Sequence, residues 1–522
     1  MHDQLQRLID DLPSFAQLDA RWRAELRRRA EQVQVLDWDE GAAMLAALAE
    51  LAAADREADA LRNDHGLWSI LLRSLGRLFA ESAGSAAIPP AAVERAIELY
   101  RQLGAASQAR HELLGALANS GRPEALAAFA ELVVADPPAR AQDAVLAFVP
   151  FFQRQKQLAP RLFPRLLDAL EHPSTAAVVL DLANFLTRQR LAAPHPASAR
   201  VERLAALLGG LTSRLARLEE HPEEFAPSPA ALHALVAESV DLVVGLCHAL
   251  AMIGDVNATG KLRQTLELSH RRLRTEAAFA LAGLKDERGV EVLAEMAAEP
   301  VARARALAYL EELGLISRAR EADRSPAARA EVDLAAWLAS PVGFGMPPQK
   351  LELFDTCRQF WPGYDDEVDC YLFRYEYRMG GQKLSGIAMA GPITHALRAD
   401  LEDLPPADSY ALYAGWCAEH ESIGQLTPEQ LSLEQHAEWL RLQDELIEQG
   451  CEDVRLVKLG RFFGEEHFVA TARRREQAGV LIADQGQIDW HPLGFGSRPL
   501  GPDEFYDLHL GRKLLRAFNP GS

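Results

Sequence analysis

Hydrophobic residues in the first three-fifths of the chain recur at helical spacing, and short proline-containing breaks separate the runs. One predicted helix covers 91–103, directly after Pro89-Pro90, and Pro137-Pro138 interrupts the pattern again. A longer proline-rich break covers 221–229. Because proline begins or ends a helix more readily than it continues one, this punctuation predicts a long series of short helices, divided near 221–229.

A short motif recurs within this helical region at an interval of about 30 residues. Residues 249–255 read ALAMIGD, and residues 280–286 read ALAGLKD. Gly254 can take the left-handed conformation that ends a helix, while Asp255 and Asp286 can cap the helices that follow. Because neither helix of such a pair can bury its apolar face alone, the pairs must stack, and the period predicts a helical solenoid.

The motif resembles HEAT repeats, in particular the short bilin-lyase type. The resemblance depends on 274–281, which read RTEAAFAL, on Asp286, and on 290–293. It is strong over 240–315 and weaker over 105–135. It implies a right-handed superhelix with a concave inner surface, and a ladder between repeats in which Asp255, Asp286 and Arg274 would have a structural role.

The periodicity changes from helical to alternating beyond a predicted linker, 317–350, which contains one short helix at 332–338. Residues 369–378 alternate, Gly380-Gly381 suits a two-residue hairpin turn, and 383–390 form the returning strand. The predicted register pairs Tyr375 with Gly386. One face of the first strand carries an aromatic row: Tyr371, Phe373, Tyr375 and Tyr377.

The remaining pattern predicts three helices, then four strands, then a last helix. The helices cover 393–401, 408–421 and 433–449; the strands cover 454–459, 467–473, 480–484 and 487–490; the last helix covers 503–518. The fold class is therefore mainly α, with a HEAT-like α-solenoid followed by a smaller α+β domain that has a mainly antiparallel sheet. The predicted domains are a helical array over 1–221, HEAT-like repeats over 230–316, the linker over 317–350 and the α+β domain over 351–522.

Charge and cysteine content narrow the functional classes. The 522 residues carry a net charge of −20, and 330–522 hold 31 acidic against 17 basic residues. This balance opposes nucleic acid as a partner. The five cysteines have no C-x-x-C spacing, which indicates reduced thiols. The N-terminus lacks a secretory signal and no long apolar run is present, so we expect a cytoplasmic protein with no membrane partner, of bacterial composition.

Candidate chemistry is sparse and lies in the C-terminal part. Tyr413, Trp416 and His420 would share one face of the helix 408–421. That face either packs against the sheet or lines a pocket in which His420 acts as an acid or base. His395 would lie in the first turn of the helix 393–401, where an anion can bind.

Two further candidates have equally simple structural explanations. His467 follows two glutamates, and Tyr375 could be a ligand-stacking residue or part of the core. No H-E-x-x-H and no spaced Cys/His set is present, so we expect no metal and no cofactor.

Three functions remain open. The first is a protein–protein interaction scaffold that binds a partner on the concave solenoid face. The second is an enzyme with its site in the C-terminal domain or the interdomain cleft. The third, implied by the HEAT resemblance, is a bilin lyase-like tetrapyrrole binder. A buried cluster of His420, His467 and a carboxylate would favour the enzyme over the scaffold.

Overall fold

The structure is a computed structural model that describes residues 2–11, 20–32, 37–54, 65–81, 88–103, 107, 109–225, 228–379, 382–494 and 498–519. It divides into two compact units. The helical unit contains residues 1–293 with 312–314, and the C-terminal unit contains residues 294–311 with 315–522.

The first fourteen helices begin at the N-terminus and end just beyond the helical unit. In chain order, their bounds are α1 His2–Asp11, α2 Ala20–Gln32, α3 Trp38–Ala54, α4 His65–Glu81, α5 Pro90–Gln102, α6 Ala109–Asn119, α7 Pro123–Ala135, α8 Ala141–Phe152, α9 Pro173–Arg188, α10 Val201–Glu220, α11 Pro229–Ile253, α12 Thr259–Leu266, α13 Arg271–Gly283 and α14 Glu287–Ala298.

Alternate helices of the helical unit pack side by side in two layers. One layer runs through α1, α3, α5, α7 and a 3-10 segment at Arg165–Glu171. An ion pair between Glu171 and Arg203 connects this segment to α10, which packs against α12. The other runs through α2, α4, α6, α8, α9, α11 and α13. Each helix thus buries one side against its own layer and another against the opposite layer, as stacked helical pairs require. The predicted helix at 91–103 is confirmed as α5.

The turns of the recurring motif behave as their residues predict. Gly254 ends α11 with φ +80°, in the left-handed region. Asp255 accepts a hydrogen bond from the amide of Asn257 at 2.9 Å, and Asp286 accepts one from the amide of Arg288 at 3.0 Å. The guanidinium of Arg263 on α12 pairs with Asp286 at 2.7 Å, so this aspartate links successive helices of the unit.

Among the helices that the structure describes, one in this unit is long and apolar enough to cross a membrane. It covers Ala230–Ile253 within α11, and 56% of its most apolar window is buried inside the protein. It packs against α9, α10 and α13. The core helix of a soluble protein has the same length and composition, so this feature does not decide localisation.

Within its described residues, the C-terminal unit contains five further α-helices and nine strands. Their bounds are α15 Pro300–Glu312, α16 Pro326–Ala339, β1 Lys350–Phe360, β2 Glu367–Met379, β3 Gln382–Ala390, β4 His395–Ala396, α17 Pro406–Trp416, β5 Ile423–Leu426, α18 Leu433–Glu448, β6 Cys451–Phe462, β7 Glu465–Arg474, β8 Gln477–Asp484, β9 Gln487–Pro492 and α19 Pro502–Phe518.

Two antiparallel sheets and the helices between and outside them form the layers of this unit. The first sheet has the order β1-β2-β3-β4 and the second has the order β5-β6-β7-β8-β9. A central core joins the inner faces of both sheets to α17 and α19, while α16 covers the outer face of the first sheet and α18 that of the second. The prediction of a mainly α fold with an antiparallel α+β part is confirmed.

The hairpin of β2 and β3 has the predicted register. Tyr375 pairs with Gly386 and Phe373 with Ala388, while Gly380-Gly381 lies outside the described residues. A Cβ atom on Gly386 would lie 2.6 Å from the Tyr375 hydroxyl oxygen, so the ring covers a position that must lack a side chain. The aromatic row packs against Leu334 and Leu338 of α16 and belongs to the core.

Some segments differ from the predictions. The linker predicted over 317–350, with one short helix at 332–338, contains the longer helix α16, whose buried side chains belong to the same core as the aromatic row. The helix predicted over 393–401 does not form. Its backbone instead makes tertiary contacts, because Leu397 donates to the Tyr413 hydroxyl and Asp400 donates to the carbonyl of Arg498. Strands β1 and β5 were not predicted.

Helices α17 and α19 cross at two glycines with their backbones in contact. A Cβ atom on Gly415 would overlap the carbonyl oxygen of Asp507, and a Cβ atom on Gly511 would overlap that of Ala411. Neither neighbour is a flexible side-chain end, so the helices would have to move apart. The crossing therefore requires glycine at both positions.

We expect Gly511→Ala and Gly415→Ala each to destabilise the C-terminal unit by about 3 kcal/mol, because backbone atoms cannot repack around the added methyl group. Helix propensity alone predicts the opposite sign, a gain of about 1 kcal/mol. Hydrogen exchange in peptides from α17 and α19 of the full chain measures the difference. The control is Gly494→Ala, where an added Cβ atom meets no atom within 4 Å. Equal exchange in all three variants would contradict the steric explanation.

A buried histidine links α9 to α11 in the helical unit. The amide of Ala197 donates to Nδ1 of His195 at 3.1 Å, so Nε2 carries the proton and donates to the side-chain oxygen of Asn184 at 3.0 Å. Asn184 in turn donates to the carbonyl of Gly245 at 3.0 Å. Burial lowers the pKa of His195 to about 4, which keeps the imidazole neutral in the folded protein.

This histidine makes the helical unit less stable in acid. The unfolded chain protonates it below a pKa of about 6.5, so its contribution is present at neutral pH and is lost as the pH falls from about 6.5 towards 4. We expect a loss of about 2 kcal/mol between about pH 7 and pH 4.5. Urea unfolding followed by circular dichroism should give a smaller acid effect for His195→Gln than for the wild type. The exposed-site control His233→Gln should retain the wild-type effect; an unchanged acid effect in His195→Gln would refute the assignment.

Candidate binding pocket in the helical unit

A pocket of about 570 Å³ opens on the layer formed by α4, α6 and α8. This volume lies within the range of sites that hold a small ligand or a few peptide side chains. Its walls come from three consecutive helices of one layer, and residues 153–154 after α8 close one end. The stacking that buries the unit's core therefore also creates this pocket.

The walls of the pocket carry an excess of positive charge. Arg73 and Arg77 project from successive turns of α4, and Arg154 follows α8. Arg73 donates through Nε to the carbonyl oxygen of Ser69 at 3.2 Å, which leaves its remaining N–H groups available. Within the described part of the chain, no carboxylate pairs with Arg77 or Arg154. Glu112 is the one acidic lining residue among those described, so the pocket suits an anionic ligand.

His111 lies in the wall between two carboxylates. Its Nδ1 is 3.7 Å from Oδ1 of Asp143, and its Nε2 is 3.7 Å from Oε1 of Glu112. Neither distance is a hydrogen bond, and the buried Nδ1 has no hydrogen-bond partner among the described residues. Asp143 is already engaged by Arg140, through Nε at 2.9 Å. His111 can therefore reorient to serve a bound group as donor or acceptor.

Small residues form the floor of the pocket. Gly76 and Gly115 lie inside α4 and α6, and a Cβ atom on either would meet no atom within 4 Å. Glycine inside a helix costs about 0.5–1 kcal/mol relative to alanine. Since packing does not require these glycines, the fold carries this cost at two positions that face the same pocket.

One edge of the pocket is apolar. Leu146 on α8 is 45% exposed, and Val149 and the side of Leu72 continue the apolar surface inward. A ligand that fits this site therefore needs both negative charge for the arginines and an apolar group for this edge.

The predicted site residues in the C-terminal part are distributed over different places. His395 and Trp416 come together: their rings stack with centroids 4.0 Å apart, and Trp337 of α16 lies 4.9 Å from the His395 ring. His395 is not at a helix start but in the short strand β4, so the helix start on which the predicted anion site depended does not form. Burial lowers the pKa of His395, in keeping with a packed neutral ring.

Tyr413, Trp416 and His420 do not share a helix face. Helix α17 begins at Pro406 and ends at Trp416, so His420 lies in the turn before β5 and is exposed. Its Nδ1 accepts from the amide of Ser422 at 3.0 Å. Tyr413 is fully buried and donates to the carbonyl of Ile387 at 2.8 Å, and Tyr375 is also buried. These two tyrosines are core residues in this structure.

His467 is the predicted candidate that joins other ionisable groups. It lies on β7, beside Asp484 of β8 and His509 of α19, and His420 is not part of this cluster. The cluster differs from the one that the sequence suggested, because the partners of His467 come from a neighbouring strand and a distant helix.

The arginine pocket itself was not predicted. The one signal in the sequence is the spacing of Arg73, Gly76 and Arg77 on α4, with Gly115 on α6, which places charge and small residues on single helix faces. This spacing predicts a pocket only when α4 and α6 are known to be neighbours in one layer.

Comparisons with known proteins do not extend this description: no protein-family model, curated protein or solved structure matches the chain.

The glycine floor gives a direct test. Gly115→Ala should stabilise the helical unit by about 0.5–1 kcal/mol, because it adds helix propensity and meets no neighbouring atom. Urea unfolding of the full chain, followed by circular dichroism, measures the change. The contrasting variant is Gly289→Ala, whose Cβ atom would lie 2.6 Å from the carbonyl oxygen of Ala278 and should destabilise. Destabilisation by Gly115→Ala would mean that packing, and not the pocket, requires this glycine.

Proposed function

We propose that the chain is a protein–protein interaction scaffold whose helical unit binds an acidic segment of a partner protein in the pocket formed by α4, α6 and α8. The observation that supports this proposal is the set of three arginines, Arg73, Arg77 and Arg154, around a floor of small residues. A row of guanidinium groups offers paired donors that match carboxylates.

The apolar edge selects the kind of segment. Leu146 would contact an apolar side chain placed between acidic residues, so the occupant is a short stretch that combines Asp or Glu with Leu, Ile or Phe. Interfaces commonly combine an apolar centre with charged groups at the rim. A protein that is itself acidic, with a net charge of −20, would disfavour this contact at long range, so the local arginines must provide the attraction.

The wider setting of this proposal follows from the sequence expectations. The two-layered helical unit supports a HEAT-like relationship, and the scaffold would act in the cytoplasm on a protein partner, without nucleic acid or membrane. The net negative charge supports the exclusion of nucleic acid, since polyanions require a basic surface.

Site-specific photo-crosslinking in the native host tests the proposal. A photoreactive residue at position 146, on the edge of the pocket, should form a crosslink to a discrete partner, and the same residue at the more exposed Val256 should not. Arg77→Glu should abolish the crosslink, while Arg214→Glu, a matched charge reversal on α10, should leave it. Equal crosslinking from both positions, or retention in Arg77→Glu, would contradict a pocket-specific contact.

The same experiment identifies the chemistry of the occupant. Mass spectrometry of the crosslinked peptide should map it to a segment with an acidic excess. A neutral or basic segment would refute the charge complementarity on which the proposal rests.

A further inference from the structure

Three side chains from separate elements of the C-terminal unit meet beneath α19. His467 of β7 pairs in register with Asp484, the last residue of β8, and His509 projects from α19. Oδ1 of Asp484 is 3.0 Å from Nδ1 of His467, and Oδ2 of Asp484 is 3.3 Å from Nε2 of His509. One nitrogen or oxygen atom from each side chain lies within 4.8 Å of the other two.

Most of the polar atoms at the centre of this cluster have no hydrogen-bond partner. Within the described residues, both ring nitrogens of His467, Oδ1 of Asp484 and Nε2 of His509 are buried and unpaired. Although some of these atoms lie at hydrogen-bond distance from each other, they are not aligned for a hydrogen bond. Because a buried polar atom without a partner is unfavourable, unpaired atoms from three side chains in one small region indicate a missing group.

The surroundings shift the pKa values of all three side chains. Burial lowers the pKa of His467 and of His509. Burial acts to raise the pKa of Asp484, but its bond to Lys513 and the nearby charges outweigh this effect, and the pKa lies below its usual value.

Lys513 limits which carboxylate oxygen is available. Its Nζ donates to Oδ2 of Asp484 at 2.6 Å and to Oε2 of Glu465 at 2.5 Å. Oδ1 of Asp484 remains free, and Glu465 balances the lysine charge. The lysine thus acts as an outer partner that fixes the carboxylate, as groups behind metal ligands commonly do.

We propose that His467, Asp484 and His509 form a binding site for one borderline divalent transition-metal ion, of which Zn²⁺ is the reference case. Two imidazoles and one carboxylate suit such an ion, whereas Mg²⁺ and Ca²⁺ prefer oxygen ligands throughout. Three protein ligands leave a coordination position for water or another ligand. The side chains of Asp484 and His509 are 16% and 13% exposed, so solvent reaches the edge of the cluster, while His467 is fully buried.

The proposed site differs from the sequence-based expectation that the protein binds no metal. The ligands have no short-range motif, because they lie 17 and 25 residues apart on two strands and a helix. The proposal is independent of partner binding by the arginine pocket.

Calorimetric titration of the untagged full chain, after removal of metal with a chelator, tests the site. We expect one equivalent of Zn²⁺ to bind, no comparable binding of Mg²⁺, and a higher melting temperature with Zn²⁺. His509→Gln should weaken Zn²⁺ binding by at least about tenfold and remove the thermal shift. The matched control His420→Gln, at an exposed histidine of the same unit, should bind as the wild type does.

Co²⁺ provides a readout that does not depend on any variant folding. Cobalt bound by the wild type should give visible absorption bands without a thiolate charge-transfer band. No binding by the wild type, unchanged binding in His509→Gln, or a thiolate band from one of the five cysteines would each overturn the assignment.

Discussion

The C-terminal unit depends on the backbone contact between α17 and α19 at Gly415 and Gly511. Helix α17 packs on the first sheet and α19 packs on the second, so the two halves of this unit join where these helices cross. The close approach has a second consequence. It sets the depth at which α19 lies over β7 and β8, and thereby brings His509 and Lys513 to Asp484. A displacement of α19 would therefore move His509 and Lys513 away from Asp484.

The helical unit depends on a different constraint, the burial of apolar surface between neighbouring helices. Each of its helices has too little apolar surface for a core of its own, so alternate helices stack in two layers and share a continuous core. Where α4 and α6 carry glycine and alanine, this stacking leaves a pocket beside α8 in place of side-chain contacts, and arginines line it. Small residues therefore have opposite effects in the two units: they allow backbone contact in one and leave open space in the other.

Local signals in the sequence predicted much of the fold. The register of the β2–β3 hairpin followed from the alternation together with the two-residue turn predicted at Gly380-Gly381, which places the aromatic residues opposite small ones. The prediction of a helix over 393–401 was wrong. The Tyr413 hydroxyl and the Arg498 carbonyl, both distant in sequence, accept hydrogen bonds from backbone N–H groups of this segment. Strand β1 was missed because a register shift between Leu353 and Asp355 interrupts its alternation. The sites could mostly not be predicted from the sequence, because Asp484 and His509 meet His467 only in the tertiary structure.

The most direct test is X-ray absorption spectroscopy at the zinc edge on the untagged full chain loaded with one equivalent of Zn²⁺. The ligand set of His467, Asp484 and His509 predicts nitrogen and oxygen neighbours at about 2.0–2.2 Å, with the multiple-scattering signature of two imidazoles. Sulfur at about 2.3 Å, or a shell of oxygen without imidazole, would show that the ion binds elsewhere and that the cluster beneath α19 is only a contact between helix and sheet.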